Sequence, residues 1–425
     1  MFSIFQIIAF FNIKLMSAIC EPWVRLFNEQ ERIKKYQNKK TLKKMILINI
    51  TKTGLFCRQR FRMNYCLLKS FTRQMSLQTV ENPFDKNLKV SEIIDVRTSA
   101  EYKIDHIPGA VNLSALNNEE RITVGTLYTK DVFSARKPGA AAATRTMSEH
   151  LQSYFSNKSQ DYSPLVYCWR GGMRSNSMGI VLSKIGIQVY VLKGGYKAYR
   201  NQVVQDLKTL PDNLDFRVIT GLTGSGKTYI LQRLRDQGEQ VLDLEGLAKH
   251  RGSVLGLWYK EEQPSQKLFE SFLRRDLASF SPNMPVWLES ESRSIGCIEI
   301  PSKLFEKMCR AERFKVNVPL DERVTYSIRT YPHWCHEPEA LKNTLSKLVK
   351  YHGLQKINVW LELIDKCKWE DLVRELLINH YDPAYTNSEK KNNRMSKPCE
   401  EIDMPDFSEK SVSNVIDHLI CSVSK

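Results

Sequence analysis

Val166-Tyr-Cys-Trp-Arg-Gly-Gly-Met-Arg-Ser-Asn-Ser177 decides how this chain folds. Pro164-Leu-Val-Tyr167 is a short apolar run of strand type, and Ser175 to Ile185 has helical spacing, stopped by Gly186. The turn between them contains Gly171 and Gly172, and one thiol, Cys168, stands at the end of the strand. Strand, tight turn and helix in that order make the repeating unit of a parallel α/β sheet. A cysteine in this position faces the backbone N–H groups that open a helix, which favour thiolate, and Arg170 and Arg174 add positive charge. The loop is therefore predicted to hold an anionic adduct: a persulfide, a selenide or the oxygens of a phosphate.

The same alternation extends in both directions. Upstream it begins near Val90, with Ile93-Ile-Asp-Val96 as a buried strand and His106-Ile-Pro-Gly-Ala-Val-Asn112 as a loop returning to a second strand. Gly139 to Leu151 reads as a helix, and Ile187-Gln-Val-Tyr-Val-Leu192 as the strand before Gly194-Gly195. A polar linker, Thr209 to Asp215, then leads into Phe216-Arg-Val-Ile-Thr-Gly-Leu-Thr-Gly-Ser-Gly-Lys-Thr228, a strand that runs directly into a glycine-rich loop and a helix ending at Gly238. In Gly221-x-x-x-x-Gly226-Lys227-Thr228, Gly221, Gly224, Ser225 and Gly226 let backbone N–H groups approach phosphate oxygens. Lys227 supplies a point charge, and Thr228 is a candidate ligand for Mg²⁺. An acidic metal partner is expected at another strand end, with Asp243, Glu245, Glu289 and Glu291 as candidates between which the sequence does not choose. Further strands are predicted at Gln240–Glu245, Val286–Glu289 and Phe314–Val318. The pattern turns helical from Pro338, and Asn387 to Lys397 reads as a loose charged segment.

The chain has 425 residues, 42% of them hydrophobic, enough for two or three domains with real cores. Its net charge of +16 is concentrated at the N-terminus: residues 1–80 hold fifteen Lys or Arg and three acids, leaving only +4 to residues 81–425. RNA binding, if it occurs, must then rest on a local basic surface rather than on the whole body. Ten scattered cysteines without a Cys-x-x-Cys pair fit a reducing compartment, and the chain is placed in the cytoplasm. If the acid-poor extension is a transit segment, the mitochondrion is the alternative; Met75 is an alternative start. Met1 to Ile13 is too short to span a bilayer, so no membrane partner is expected. His333-Trp-Cys335-His336 lacks a second cluster at ligand spacing and is read as a loop rather than a metal site.

Asp95-Val-Arg97, Glu101, His106-Ile-Pro-Gly-Ala110, Tyr167-Cys168 to Arg174-Ser175 and Leu192-Lys-Gly-Gly195 resemble a rhodanese domain, whose cysteine carries sulfur as a persulfide. Five residues separate Cys168 from Arg174, one more than in the usual sulfurtransferase loop, which resembles the roomier loop of rhodanese-related phosphatases. With the phosphate loop added, the order of segments is similar to the tRNA 2-selenouridine synthase family over about residues 90 to 390. The supporting segments include Leu116-Asn-Asn-Glu-Glu-Arg121, Asp243 to Gly252, Glu289-Ser-Glu-Ser-Arg293 and Tyr381-Asp-Pro-Ala-Tyr385. Gly139 lies near a glycine that matters in that family.

The resemblance implies an α/β protein: an N-terminal rhodanese-like parallel-sheet domain, a P-loop NTPase-like α/β domain and a helical C-terminal region. The domains are expected as a basic extension over 1–80, disordered or targeting, a rhodanese-like domain over 81–208, a P-loop domain over 209–385 and a polar tail over 386–425. The implied enzyme is a transferase, a selenotransferase and tRNA geranyltransferase. It replaces the sulfur of wobble 2-thiouridine in tRNA with selenium from selenophosphate, by way of an S-geranyl intermediate made from geranyl diphosphate. Cys168 is then the essential thiol, and the loop Gly221 to Thr228 meets a diphosphate or nucleotide. No cofactor beyond Mg²⁺ is implied. The competing reading is a rhodanese-type sulfurtransferase coupled to an ATP-binding P-loop domain.

Overall fold

A computed structural model describes residues 77–85, 87–252, 256, 261–391 and 399–422. Most of the basic extension, to residue 76, and the side chains of His333 and Cys335 lie outside the described residues. The described residues contain two five-stranded parallel sheets.

In the first domain the strands are β1 (Leu77–Val80), β2 (Glu92–Asp95), β3 (Ala110–Asn112), β4 (Pro164–Tyr167) and β5 (Val189–Leu192), and the helices α1 (Ser99–Ile104), α2 (Asn118–Lys130), α3 (Val132–Gln152), α4 (Met173–Lys184) and α5 (Gly195–Thr209). The sheet order is β1-β5-β4-β2-β3, with β4 in the middle and all four of its residues buried. A strand covered on both faces needs a continuous apolar run rather than alternation, which Pro164-Leu-Val-Tyr167 provides. Chain order reverses at β4, so the crevice at its C-terminal end is the topological switch point where α/β sheets bind ligands.

Asp95-Val-Arg97 serves this architecture from inside. Arg97 donates from Nε and NH2 to the Asp95 carboxylate and from NH2 to the Asp105 carbonyl at 2.6 Å, and Tyr167 Oη donates to Asp95 Oδ2 at 2.8 Å. Both charges are buried, so each depends on the other and on these hydrogen bonds.

The second domain has β6 (Phe216–Thr220), α6 (Lys227–Asp236), β7 (Gln240–Val241), α7 (Leu244–Ala248), α8 (Gln266–Ser279), β8 (Val286–Glu289), the hairpin β9 (Ser294–Ile295) with β10 (Ile298–Glu299), α9 (Ser302–Arg310), β11 (Glu312–Asn317) and α10 (Leu320–Thr330). A helical region follows: α11 (Pro332–His336), α12 (Pro338–Ser346), α13 (Val349–Asp365), α14 (Trp369–Leu376), a π-helical turn at Leu377–Tyr381 and α15 (Asp382–Lys391). With β12 (Cys399–Asp403), the strand order is β12-β11-β6-β8-β7, and β6 occupies the reversal, as β4 does in the first sheet.

Four sequence expectations are corrected here. Residues 386–425 are not simply a polar tail: Cys399–Asp403 forms β12, paired in parallel with β11, and α16 (Glu409–Ser422) buries Val412, Val415, Ile416 and Leu419 in the core beside β6. The strand Cys-Glu-Glu-Ile-Asp buries only Ile402, because an edge strand is covered on one side only and reads as polar. Likewise the rhodanese-like domain does not start at residue 81, since β1 at Leu77–Val80 pairs with β5. The strand expected over Gln240–Glu245 stops at Val241, where Asp243 caps α7 by accepting from Gly246 N at 2.7 Å. Asn387 falls within α15, while residues 392–398 lie outside the described residues.

The two domains share one hydrophobic core. Tyr196, Tyr199, Val203 and Leu207 of α5 are buried in the same cluster as Phe269, Leu273 and Leu277 of α8. Arg200 pairs with Glu270, Arg274 with Asp206 at 2.7 Å, and the Arg274 guanidinium lies 3.4 Å from the Phe84 ring centroid. An interface this apolar holds the thiol and the phosphate loop in one body.

Candidate active site

Cys168 lies at the C-terminal end of β4, buried, with its sulfur accepting from Gly172 N and Ser175 Oγ, both at 3.2 Å. The turn is braced from below by the loop after β5. Gly195 has φ +56, and a Cβ there would collide with the Cys168 carbonyl; a Cβ on Gly171, at φ +65, would fall 2.5 Å from the Leu192 carbonyl. Only glycine permits both the left-handed backbone and this approach. Tyr196 N and Lys197 N, which open α5, donate to the carbonyls of Cys168 and Trp169 at 2.8 and 3.0 Å.

Burial by itself would raise the Cys168 pKa. It is outweighed by hydrogen bonds from Ser175, side chain and backbone, by the Arg174 charge and by the Arg170 backbone N–H, which together hold the thiol below its ordinary value. The two arginines therefore differ. Arg174 is half-buried and paired with Glu101 Oε2 at 3.2 Å, whereas the Arg170 side chain is exposed and its N–H, not its guanidinium, reaches the sulfur. Ser175 is the residue that sequence reasoning passed over, although it stands one position after Arg174. We expect Cys168 to react with iodoacetamide with a pH–rate midpoint below that of an ordinary thiol. Ser175→Ala should move the midpoint upward and slow the reaction at pH 7 about tenfold, the worth of one hydrogen bond to a charged group. An unchanged profile would remove Ser175 from the account.

Over the thiol opens a cavity of about 720 Å³, walled on one side by the α2–α3 hairpin and on the other by α4. Its floor is apolar, with Ala135, Met147 and Met178 buried. Gly139 of α3 lines it too; a Cβ there would lie 3.3 Å from Val124 of α2, so glycine lets the two helices pack closely.

The second centre follows β6. Gly224 and Gly226 have φ +83 and +74, and Gly226 is the N-cap of α6, so the loop turns its backbone toward the helix N-terminus, as a phosphate cradle requires. Ser225 is buried with an unpartnered hydroxyl. Lys227 Nζ donates to the Gly221 carbonyl at 3.0 Å. Burial opposes its charge, but Tyr385, Glu289, Glu245 and Glu291 around it raise its pKa. Thr228 Oγ1 lies 3.1 Å from Oε2 of both Glu245 and Glu289, donating its one proton to either.

Of the four candidate acids the structure brings together Glu245, Glu289 and Glu291, with one oxygen from each within 4.8 Å of the others, while Asp243 is occupied as a helix cap. Burial, then the charge of Glu291, pushes Glu245 up to about 8, and burial with the charges of Glu245 and Glu291 pushes Glu289 well above the carboxylate range. Glu289 Oε1 is buried without a partner. Three carboxylates so placed fit a hard divalent cation with oxygen ligands.

Helix α15 closes the cavity, of about 660 Å³, around this loop. Tyr385 Oη accepts from Gly221 N at 3.2 Å and meets Thr220 Oγ1, and its ring centroid lies 5.6 Å from Lys227 Nζ. Arg323 of α10 donates to both Asp382 oxygens at 2.9 Å and to the Thr223 carbonyl at 3.1 Å, while Arg313 pairs with Glu389. Tyr385 stood in a quoted segment, but nothing in the spacing of residues 164 positions apart placed it on the loop.

Residues 76–202 match the rhodanese-like domain family, and residues 214–410 match the tRNA 2-selenouridine synthase AAA domain family. A tRNA 2-selenouridine synthase of Hydrogenovibrio crunogenus is 30% identical over 326 residues, an alignment that takes in 70% of this chain and 89% of that protein. The chain belongs to the tRNA 2-selenouridine synthase family. Family members of the same designation from Nitrosomonas eutropha and Bdellovibrio bacteriovorus are 36% and 34% identical, over 55% and 59% of this chain. The alignment spans about three-fifths of the length of the Nitrosomonas family member, 61%, and 67% of the Bdellovibrio one. Among the described residues no helix is long and apolar enough to cross a membrane.

Proposed function

We propose that this chain is a transferase that replaces the sulfur of wobble 2-thiouridine in tRNA with selenium from selenophosphate, by way of an S-geranyl intermediate. The observation that carries the reading is the pairing, within one body, of a thiol held toward thiolate under a large cleft and a phosphate loop with its own acidic cluster. In the first step the thiouridine sulfur attacks carbon 1 of geranyl diphosphate; a C–S bond forms, the C–O bond breaks and diphosphate leaves. In the second, selenium from selenophosphate bonds to carbon 2 of the base and geranylthiolate departs, and water takes the phosphoryl group as phosphate when the Se–P bond breaks. A thioether is more easily displaced than a thiocarbonyl, so alkylation prepares the exchange.

Each centre has a defined task. Cys168 adds to carbon 2 of the alkylated base as a thiolate and leaves again as thiolate when selenium bonds there, with Ser175 Oγ, Gly172 N and Arg174 holding its negative charge. Lys227 and the N–H groups of Gly224 to Gly226 face the diphosphate and stabilise its charge on departure. Thr228, Glu245, Glu289 and Glu291 would hold Mg²⁺, which when bound neutralises the carboxylates and the leaving group together. The purified protein, incubated with thiolated RNA and each donor in turn, tests the reading. Mass spectrometry of the nucleosides should show geranylthiouridine with geranyl diphosphate alone and selenouridine once selenophosphate is added. If neither appears, and ATP with a sulfur donor instead supports sulfur transfer, the chain is an ATP-coupled sulfurtransferase.

A further inference from the structure

The two cavities have opposite chemistry. The one around the phosphate loop is lined by Asp243, Glu245, Glu289, Glu291 and Glu389 against Lys227 and Arg251. The wall of the cavity over Cys168 contains Arg121, Arg136, Arg170 and Arg174 and no carboxylate. The first suits an anion only where its loop and a cation on the carboxylates meet it, whereas the second offers an RNA backbone a field of one sign.

The rim of the thiol cavity carries a second signal. Trp169 is 37% exposed, Tyr128 50% and Met173 56%, three large side chains left open around one cleft. The α2–α3 hairpin that forms the outer wall is itself sparingly buried: α2 buries no residue and α3 only Ala135, Ala142 and Met147. It is fixed at its base, where Thr146 Oγ1 donates to the Ala115 carbonyl at 2.8 Å and His150 Nε2 lies 3.1 Å from the Ser114 carbonyl. A volume of about 720 Å³ far exceeds the needs of one chalcogen atom and suits a nucleotide with its neighbours. Alternating guanidinium groups and exposed aromatic rings are how proteins take unstacked bases from single-stranded loops.

We propose that the cleft between the α2–α3 hairpin and the Cys168 loop is the RNA-binding surface. It receives a base turned out of a single-stranded loop and directs its carbon 2 edge at the thiol. Arg121 and Arg136 hold flanking phosphates, and Trp169 and Tyr128 offer rings for stacking. Arg174, tied to Glu101, stays with the sulfur. The proposal rests on the tRNA reading above and assigns that partner a site on the rhodanese-like domain.

The test is binding of a fluorescent RNA hairpin, with 2-thiouridine in its loop, to the full chain as salt is raised. Arg121→Ala/Arg136→Ala should weaken binding at least tenfold and reduce the slope of log K against log salt by about 1.4, two single-strand phosphate contacts. Arg121→Lys/Arg136→Lys should keep the slope, Trp169→Ala should cost about tenfold, and Lys208→Ala/Lys410→Ala, the same charge change on exposed positions outside the cleft, should change nothing. Unaltered melting temperatures would exclude unfolding. If wild type binds the hairpin and the arginine-to-alanine pair binds it with the same affinity and slope, the cleft is not the RNA site, although the tRNA reading stands. If wild type binds no RNA, both fall.

Discussion

Cys168→Ser should abolish selenium transfer to RNA, by three orders of magnitude or more, while leaving the fold intact. The substitution keeps the shape of a buried side chain and removes the thiolate. A serine hydroxyl is not ionised by two hydrogen bonds and one arginine, whereas those groups already hold the Cys168 thiol below its usual pKa. The variant should melt with the wild type and still bind RNA, because the cleft walls are unaltered. Alkylation of thiolated RNA by geranyl diphosphate should continue, since that step uses the other centre. Nucleoside mass spectrometry after incubation with selenophosphate reads the result directly. Selenation at the wild-type rate would remove Cys168 from the chemistry. Arg174→Ala should have a smaller effect, because the Gly172, Ser175 and Arg170 N–H groups still face the sulfur.

Lys227→Ala should suppress geranylation of thiolated RNA by at least about a hundredfold, the usual cost of losing one electrostatic contact to a leaving group. The same variant should still selenate an RNA supplied already geranylated, since the second step begins after diphosphate has left. This split between two substrates is what distinguishes a prenyl diphosphate site from a nucleotide site. If wild-type turnover requires ATP and the variant fails on both substrates, the loop is an ordinary nucleotide site. Removing Lys227 also takes away a positive charge that acts on Glu245 and Glu289. Stability must therefore be measured beside activity, and Lys227→Arg, which keeps the charge with a different reach, separates charge from geometry.

How much of this was legible in the sequence follows from the range of the interactions involved. The strand–turn–helix units around Cys168 and Gly226 were readable because each is fixed within a dozen residues. Four apolar residues make a fully buried strand, glycines allow φ above zero, and the helix that follows supplies the N–H groups. From these came the parallel α/β class, the thiol, the phosphate loop and the order of the two domains. The same local evidence misjudged the edges. Cys399–Asp403 buries only Ile402 and reads as a polar tail, and Leu77–Val80 lay inside a stretch dominated by basic residues.

What only the tertiary structure decided are the contacts that cross between elements. No spacing rule tells Glu245, Glu289 and Glu291 from Asp243, because all four stand near strand ends; the difference is that Asp243 spends its carboxylate on capping α7. Tyr385 reaches Gly221 from 164 residues away, through a helix placed by the Arg323–Asp382 pair. The two arginines beside Cys168 look equivalent in sequence and are not, since Arg174 turns inward to Glu101 and Arg170 outward to solvent. The acid-free wall over the thiol is assembled from α2, α3 and the Cys168 loop, whose glutamates Glu119, Glu120 and Glu149 the fold keeps off that wall. Local sequence sets which backbone shapes are affordable, and the shared core of α5 and α8 sets which side chains meet.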